Sequence, residues 1–219
     1  MGYRALLLDW RGVLVLDPPL EWWVVRALES LRRMAEPGVI RGLAASLRGA
    51  AGLPEIRAAE GSIDGSAELN RSGMMLMFER AGLDSDLAEA LYRLDFDPAN
   101  HPLYPGVLAT MEAIKAKSVK VAVVSDVHFD LRSELTNQGL GDLIDPYVLS
   151  FEHGFQKPDP RMFTTALDLL RTKPNEALMV GDRITHDGGA VSVGIATLIL
   201  PVLNELAPRG LDVVLGLVG

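Results

Sequence analysis

The opening residues set the frame for everything that follows. Tyr3-Arg4-Ala5-Leu6-Leu7-Leu8 is a short apolar run, and Asp9-Trp10-Arg11-Gly12-Val13-Leu14 follows it at once. An acid and then a glycine turn after such a run put a carboxylate at the carboxyl edge of a buried strand. In open α/β sheets that edge is where ligands bind.

Two textures follow. Residues 21–94 read as helices: Trp22, Val25, Leu28, Leu31 and Met34 recur at helical spacing, and Leu69 to Ala81 carries a Met-rich stripe. Pro37-Gly38, Gly52-Leu53-Pro54 and Gly61-Ser62-Ile63-Asp64-Gly65 punctuate them. From His101 onward, strand and helix alternate. Strands are expected at 119–124, 147–150, 177–180 and 196–200, with helices at 107–117, 130–138, 160–171 and from about Asp187. Val213-Val214-Leu215 reads as a further edge strand. This alternation predicts an α/β fold, a Rossmann-like, doubly wound parallel sheet with right-handed crossovers. Roughly ninety residues separate the first strand from the second, too many for a simple crossover. They predict an inserted helical lobe over 16–103, with the sheet built from 1–15 and 104–219 and hinges near 14–19 and 98–105.

Composition narrows the function. With 48% apolar and 23% charged residues in 219, the chain can bury a full core. A net charge of −8 argues against nucleic acid, which needs a basic stripe to displace counterions. The absence of cysteine excludes disulfides and thiolate metal sites and is expected of a cytoplasmic protein. Met1-Gly2-Tyr3-Arg4 leads straight into the first strand without a leader pattern. Pro201 and Asn204 break the last apolar stretch, so no membrane span is expected.

Four clusters sit just past strands: Asp9, Ser125-Asp126, Lys157-Pro158-Asp159, and Gly181-Asp182 with Asp187 five residues on. Side by side, those strands would bring the clusters into one crevice. Clustered carboxylates repel and need a cation, and oxygen ligands of this kind suit Mg²⁺. A serine hydroxyl and a lysine ammonium beside it make a receptor for phosphate oxygens. Asp9 could then act as nucleophile through an acyl phosphate.

At these residues the chain resembles the haloacid dehalogenase superfamily over nearly its whole length. Asp9-Trp10-Arg11-Gly12-Val13, Ser125, Lys157-Pro158 and Gly181-Asp182-Arg183-Ile184-Thr185-His186-Asp187 stand in the order of its four motifs. The resemblance implies a Rossmann-like core with a mobile helical cap between the first two motifs. It implies Asp9 as nucleophile, with Ser125 and Lys157 holding the transferred phosphoryl group. Asp9, the backbone carbonyl of Arg11, Asp182 and Asp187 would hold Mg²⁺. The implied partner is a small phosphorylated molecule, and the protein would be a monomer or homodimer.

Arg11 is the departure. Phosphatases of the family carry a second aspartate there, which protonates the leaving oxygen and then activates water. A guanidinium stays protonated and does neither, and such proton transfer is worth about 10²–10⁴ in rate. The phosphonate-cleaving branch uses a cap lysine, but residues 17–105 contain none. Three readings stand: a phosphohydrolase with weakened or relocated acid–base help, a hydrolase of another bond such as carbon–halogen, or a non-catalytic binding protein. His128, His186 and Asp126 are the nearest candidates for relocated proton transfer. In the haloacid reading, Arg11 or Arg41 would grip the anion.

Plainer roles are expected beside these. Asp126 would cap the next helix, Arg11 would pair with Asp126 or Asp182, and Asp187 would combine capping with metal binding. His128, His153 and His186 would be loop residues. Of Trp22 and Trp23, one would be core and the other would face substrate or a seam. Met74, Met75 and Met77 would be lobe core, and Arg32, Arg33 and Arg41 a solvated face.

Overall fold

The computed structural model describes residues 2–219, apart from the side chain of Pro98; Met1, the start of the first segment read from the sequence, lies outside the described residues. After β1 (Ala5–Leu8) come α1 (Leu20–Ser30), α2 (Pro37–Ala51), α3 (Pro54–Glu60), α4 (Ala67–Arg80), α5 (Ser85–Leu94) and α6 (Val107–Ala116). Then β2 (Lys120–Ser125), α7 (Arg132–Asn137) and β3 (Tyr147–Leu149) follow, with α8 (Ser150–His153) and α9 (Pro160–Leu170) leading to β4 (Ala177–Gly181). A 3-10 turn, Asp187–Val193, precedes β5 (Ala196–Ile199), and another covers Leu211–Gly216.

The strands form one sheet in the order β3-β2-β1-β4-β5, and every neighbouring pair is parallel. β1 is central, so all four of its residues are buried. The two-residue period divides them. Leu6 and Leu8 join Val121, Val123, Leu178 and Val180 on one face, while Ala5 and Leu7 join Ala122, Val124 and Met179 on the other. Val107, Met111 and Ile114 of α6 cover the first face, and Met162, Phe163, Ala166 and Leu170 of α9 cover the second. Spacings of three and four, with Met162 beside Phe163, make one stripe per helix. Pro160 at the first helical position and the Asp159 side chain, accepting from the Arg161 N–H at 2.9 Å, start α9.

The inserted helices have a core of their own. Val24, Ala27 and Leu28 of α1 meet Leu47, Phe78, Leu87 and Leu91. Each large apolar side chain buried there contributes roughly 1.5–3 kcal/mol. Asp84 caps α5 by accepting from the Leu87 N–H at 3.1 Å, and Ser66 caps α4 from Leu69 at 3.1 Å. The turn at Ile63–Gly65 is tied to the sheet's carboxyl edge. Gln156 donates to the Glu60 carbonyl and accepts from the Asp64 N–H, both at 2.9 Å, while the Ser150 hydroxyl donates to the Asp64 carbonyl at 2.7 Å.

Three local expectations are corrected. The edge strand at 213–215 is instead the 3-10 turn Leu211–Gly216, because Leu211 and Val214, three apart, both enter the first core. A strand would point two residues three apart to opposite faces. The segment from Asp187 is 3-10 rather than α-helical. Gly188-Gly189 is a poor helix former, and a Cβ on Gly189 would come within 2.6 Å of Pro158. α7 starts only at Arg132, because Asp130 turns back to accept from the Arg132 N–H at 3.0 Å.

Candidate active site

The parallel register brings Asp9, Ser125 and Gly181-Asp182 to the same edge of the sheet, at the ends of three adjacent strands. Lys157, in the loop after α8, reaches them from the side. Its ammonium lies 2.9 Å from Asp9 Oδ1 and 2.6 Å from Asp187 Oδ1, with no exposed surface. Asp9 Oδ1 also accepts from the Trp10 N–H at 2.8 Å, and Asp9 Oδ2 has no hydrogen bond among the described residues. One carboxylate oxygen is thus fixed and the other is available to a ligand. Burial opposes the charge on Lys157, but Asp9 and Asp187 override it and hold the ammonium above its ordinary range.

Asp187 is committed on both oxygens. Oδ1 takes Lys157, and Oδ2 accepts the Asp182 and Arg183 N–H groups at 3.1 and 2.9 Å. Burial pushes its carboxyl up, and Lys157 pulls it below its ordinary value. A Cβ on Gly181 would come within 2.1 Å of this carboxylate, so glycine is required for the turn to wrap it. Gly12 plays the same part opposite Asp182. It has φ +78°, and a Cβ there would lie 2.2 Å from Asp182 Oδ2.

Ligand atoms of Asp9, Asp182 and Asp187 lie within 4.8 Å of one another. Burial, then the charges of Asp9 and Asp187, push the Asp182 carboxyl up to about 6. The Arg11 carbonyl accepts no hydrogen bond among the described residues, whereas the neighbouring Gly12 carbonyl is taken by Arg209. An oxygen-only donor set with excess negative charge fits a hard divalent cation. Asp187, which accepts three hydrogen bonds, also shapes the turn that presents Asp182.

Above the sheet edge lies a cavity of about 350 Å³, floored by Asp9, Ser125 and Asp182. Its roof comes from the inserted helices: Trp23, Met74, Phe78 and Leu91 give an apolar wall, and Asn70 and Asp95 polar points. The Arg11 guanidinium stacks near Trp10, 5.1 Å from the ring centroid, and pairs with Asp95 after α5. It keeps 31% of its side-chain exposure, which opens on the cavity. Burial pushes the Asp95 carboxyl up, and Arg11 overrides it to hold the group below its ordinary value. Asp17 stands at the mouth, where crowding by protein pushes its carboxyl up against the pull of Arg11 and Arg183.

Residues 3–194 match the haloacid dehalogenase-like hydrolase family. The chain belongs to that family. A phosphoserine phosphatase from Thermus thermophilus is 35% identical over 103 residues, 47% of this chain and 40% of that one. An (S)-2-haloacid dehalogenase from a Pseudomonas species is 28% identical over 130 residues, 59% of this chain and 54% of that one. The chain thus spans about half the length of the curated relatives it matches. A HAD-type hydrolase from Bacillus subtilis, solved bound to magnesium, superposes with a TM-score of 0.68 at 20% identity, covering 94% of this chain and 96% of that one. That likeness extends the shared fold across both the sheet and the inserted helices.

In this haloacid dehalogenase-like hydrolase, Asp9, Ser125, Lys157, Asp182 and Asp187 converge as the sequence implies, and Arg11 lines the same cavity. Several side roles differ. Arg11 pairs with Asp95 and with neither Asp126 nor Asp182. Asp126 caps no helix: its Oδ1 accepts the Lys157 N–H at 2.7 Å, and burial pushes its carboxyl up to about 6. Asp187 caps no helix either and folds the turn before it. Of the histidines expected in loops, His128 lines the cavity, His186 pairs with Thr185, and His153 stacks on Phe155. Trp23 faces the cavity, and so do Met74 and Met77, while Arg41 is exposed and does not.

Sequence reading missed Asp64, Asp95 and Asn70, which line the cavity, and Ser150 and Gln156, which hold Asp64. Asp64 lay in a glycine-flanked turn that reads as punctuation. Asp95 and Asn70 carry no local signal, because their partners are 84 and 6 residues away.

Proposed function

We propose that this hydrolase is a Mg²⁺-dependent phosphohydrolase of a small phosphorylated molecule, its residues 16–103 serving as a cap over a core of 1–15 and 104–219. The convergence of Asp9, Ser125 and Asp182 on one cavity floor, with the Lys157 ammonium buried against Asp9, carries this reading. Asp9, the Arg11 carbonyl and Asp182 would hold Mg²⁺, with Asp187 fixing the turn beside them. Bound there, the cation would neutralise the carboxylates and the phosphoryl oxygens. Phosphatases and a magnesium-bound structure among the relatives support the same direction.

Asp9 Oδ2 attacks phosphorus, the bond to the ester oxygen breaks, and an aspartyl-phosphate forms. The Ser125 hydroxyl and Lys157 ammonium hold the phosphoryl oxygens, and water then cleaves the acyl phosphate to return Asp9 and phosphate. Arg11 neither protonates the leaving oxygen nor activates that water. Turnover therefore falls steeply as the leaving group's pKa rises, and activated aryl phosphates are the best generic substrates.

The deciding experiment is hydrolysis of 4-nitrophenyl phosphate with and without Mg²⁺, with Asp9→Asn as the blank. Turnover that needs both the cation and Asp9 is expected. Wild-type activity equal to the blank would overturn the phosphohydrolase reading.

A further inference from the structure

Building on that reading, we propose that the helical half of the cavity is a receptor for a protonated amine, so that the substrate class is a phosphate monoester whose organic part carries a primary ammonium on a short apolar chain and no carboxylate. The distribution of charge is the first argument. Asp17, Asp64 and Asp95 line this half, and its one cation, Arg11, is already paired with Asp95. The other arginine lining the cavity, Arg183, lies across the floor, 3.5 Å from Asp126. Among the described lining residues, no lysine or arginine comes from α1–α5. Asp17 and Asp64 are left without a matching cation.

Unpartnered polar atoms are the second, independent argument. His128 is 5% exposed, yet its Nε2 has no hydrogen-bond partner, and Asn70, 6% exposed, leaves its Oδ1 without one. Both residues line the cavity. A buried polar atom without a partner costs about 1–3 kcal/mol, a cost a bound group can relieve. His128 stands between two acids, with Nδ1 3.8 Å from Asp64 and Nε2 3.6 Å from Asp95. The Asn70 amide donates to Asp64 Oδ1 at 2.8 Å, which fixes its carbonyl oxygen as an acceptor.

The chemistry of these groups selects one kind of ligand. An ammonium has three donors and no acceptor, and the Asp64 carboxylate and the free Asn70 carbonyl oxygen beside it are both acceptors. An organic carboxylate placed there would face the Asp17 and Asp64 carboxylates, so this end of the cavity disfavours one. Met74, Met77, Phe78 and Leu47 supply the wall for a few methylene groups. The receptor is pre-formed, because Ser150 and Gln156 fix the Asp64 backbone on both sides.

Arg11 gives poor help to an alkoxide leaving group, so the test reads binding rather than turnover. Hexylammonium, hexanol and hexanoate are titrated into the full chain by calorimetry, with no phosphate present. Hexylammonium is expected to bind about ten-fold tighter than hexanoate, with hexanol between them. Asp64→Asn and Asp17→Asn should each cut that preference several-fold with an unchanged thermal midpoint; the second serves if the first perturbs folding. Equal or tighter binding of hexanoate, no hexylammonium binding at millimolar concentration, or a preference that survives both substitutions would overturn the receptor. The two proposals fail separately. Selective hexylammonium binding without aryl phosphate hydrolysis keeps the receptor and removes the phosphohydrolase, and the converse removes the receptor alone.

Discussion

The floor and the roof of the cavity are built on opposite principles. On the floor, the buried charges form a network: Lys157 lies between Asp9 and Asp187, and Asp187 accepts from Lys157 and two backbone N–H groups. In the roof, carboxylates outnumber cations and Asn70 keeps an unpartnered atom, as does His128 facing it from the loop after β2. A satisfied network is rigid and holds reacting groups in place before anything binds. An unsatisfied one is completed by its ligand, so it selects what enters. On the proposed function, the floor would perform the chemistry and the roof would choose the substrate.

Stability should break along the same line. Removing the floor's cation has the largest effect. Lys157→Ala leaves two buried carboxylates facing each other, at a cost of about 3–5 kcal/mol. At roughly 2–4 °C per kcal/mol for a chain of this size, the thermal midpoint should fall by about 6–20 °C. Differential scanning calorimetry reads this directly, and a shift of a degree or two would mean that the floor is not the rigid half. Arg33→Ala, at the exposed Arg33–Asp84 pair, is the control and should leave the midpoint unchanged.

A smaller loss is expected where floor and roof join. Asp95→Asn leaves the half-buried Arg11 guanidinium without its acid, for about 1–2 kcal/mol. Faster amide exchange should appear at the end of α5 and in the loop after β1, but not in β4. Exchange that speeds up equally in β4 would show the two halves to be one cooperative unit.

A further effect is a pH dependence at His101, which packs between Trp10 and Trp23 at the join. Burial, with Arg11 nearby, lowers its pKa to about 4 from the ordinary 6.5. The folded state therefore prefers the neutral ring. That preference stabilises fully above pH 6.5 and is lost as pH falls from there toward 4. His101→Gln should flatten this part of the stability–pH curve, measured by urea denaturation at pH 4.5 and 7.5. An unaltered slope would place the acid sensitivity elsewhere.

Much of the floor was legible in the chain. Asp9, Ser125 and Asp182 each end an apolar run, and a parallel sheet carries such ends to one edge whatever the loops do. Lys157 was legible as part of a cluster past the third strand, but its role against Asp9 came only from the family resemblance, because it is a loop residue and nothing local shows that it turns inward. The roof was hardly legible. Its residues lie on helices whose apolar stripes reveal which face is buried, but not against what. Asp95 finds Arg11 across 84 residues, and Asp64 is held by side chains from positions 150 and 156. The misread edge strand at 213–215 has the same origin: a short apolar run fits a strand or a turn until its neighbours are known.

By itself, the sequence determined the parallel sheet, the helical insertion and the chemistry gathered at the strand ends, because periodicity and strand-end residues act over a few positions. Only the tertiary structure decided that Arg11 is tied to the inserted helices, that Asp126 braces the lysine loop, and that the roof presents unmatched acids to the cavity. Those outcomes depend on which distant charge comes within about 4 Å in a low-dielectric pocket, a distance that chain order does not encode.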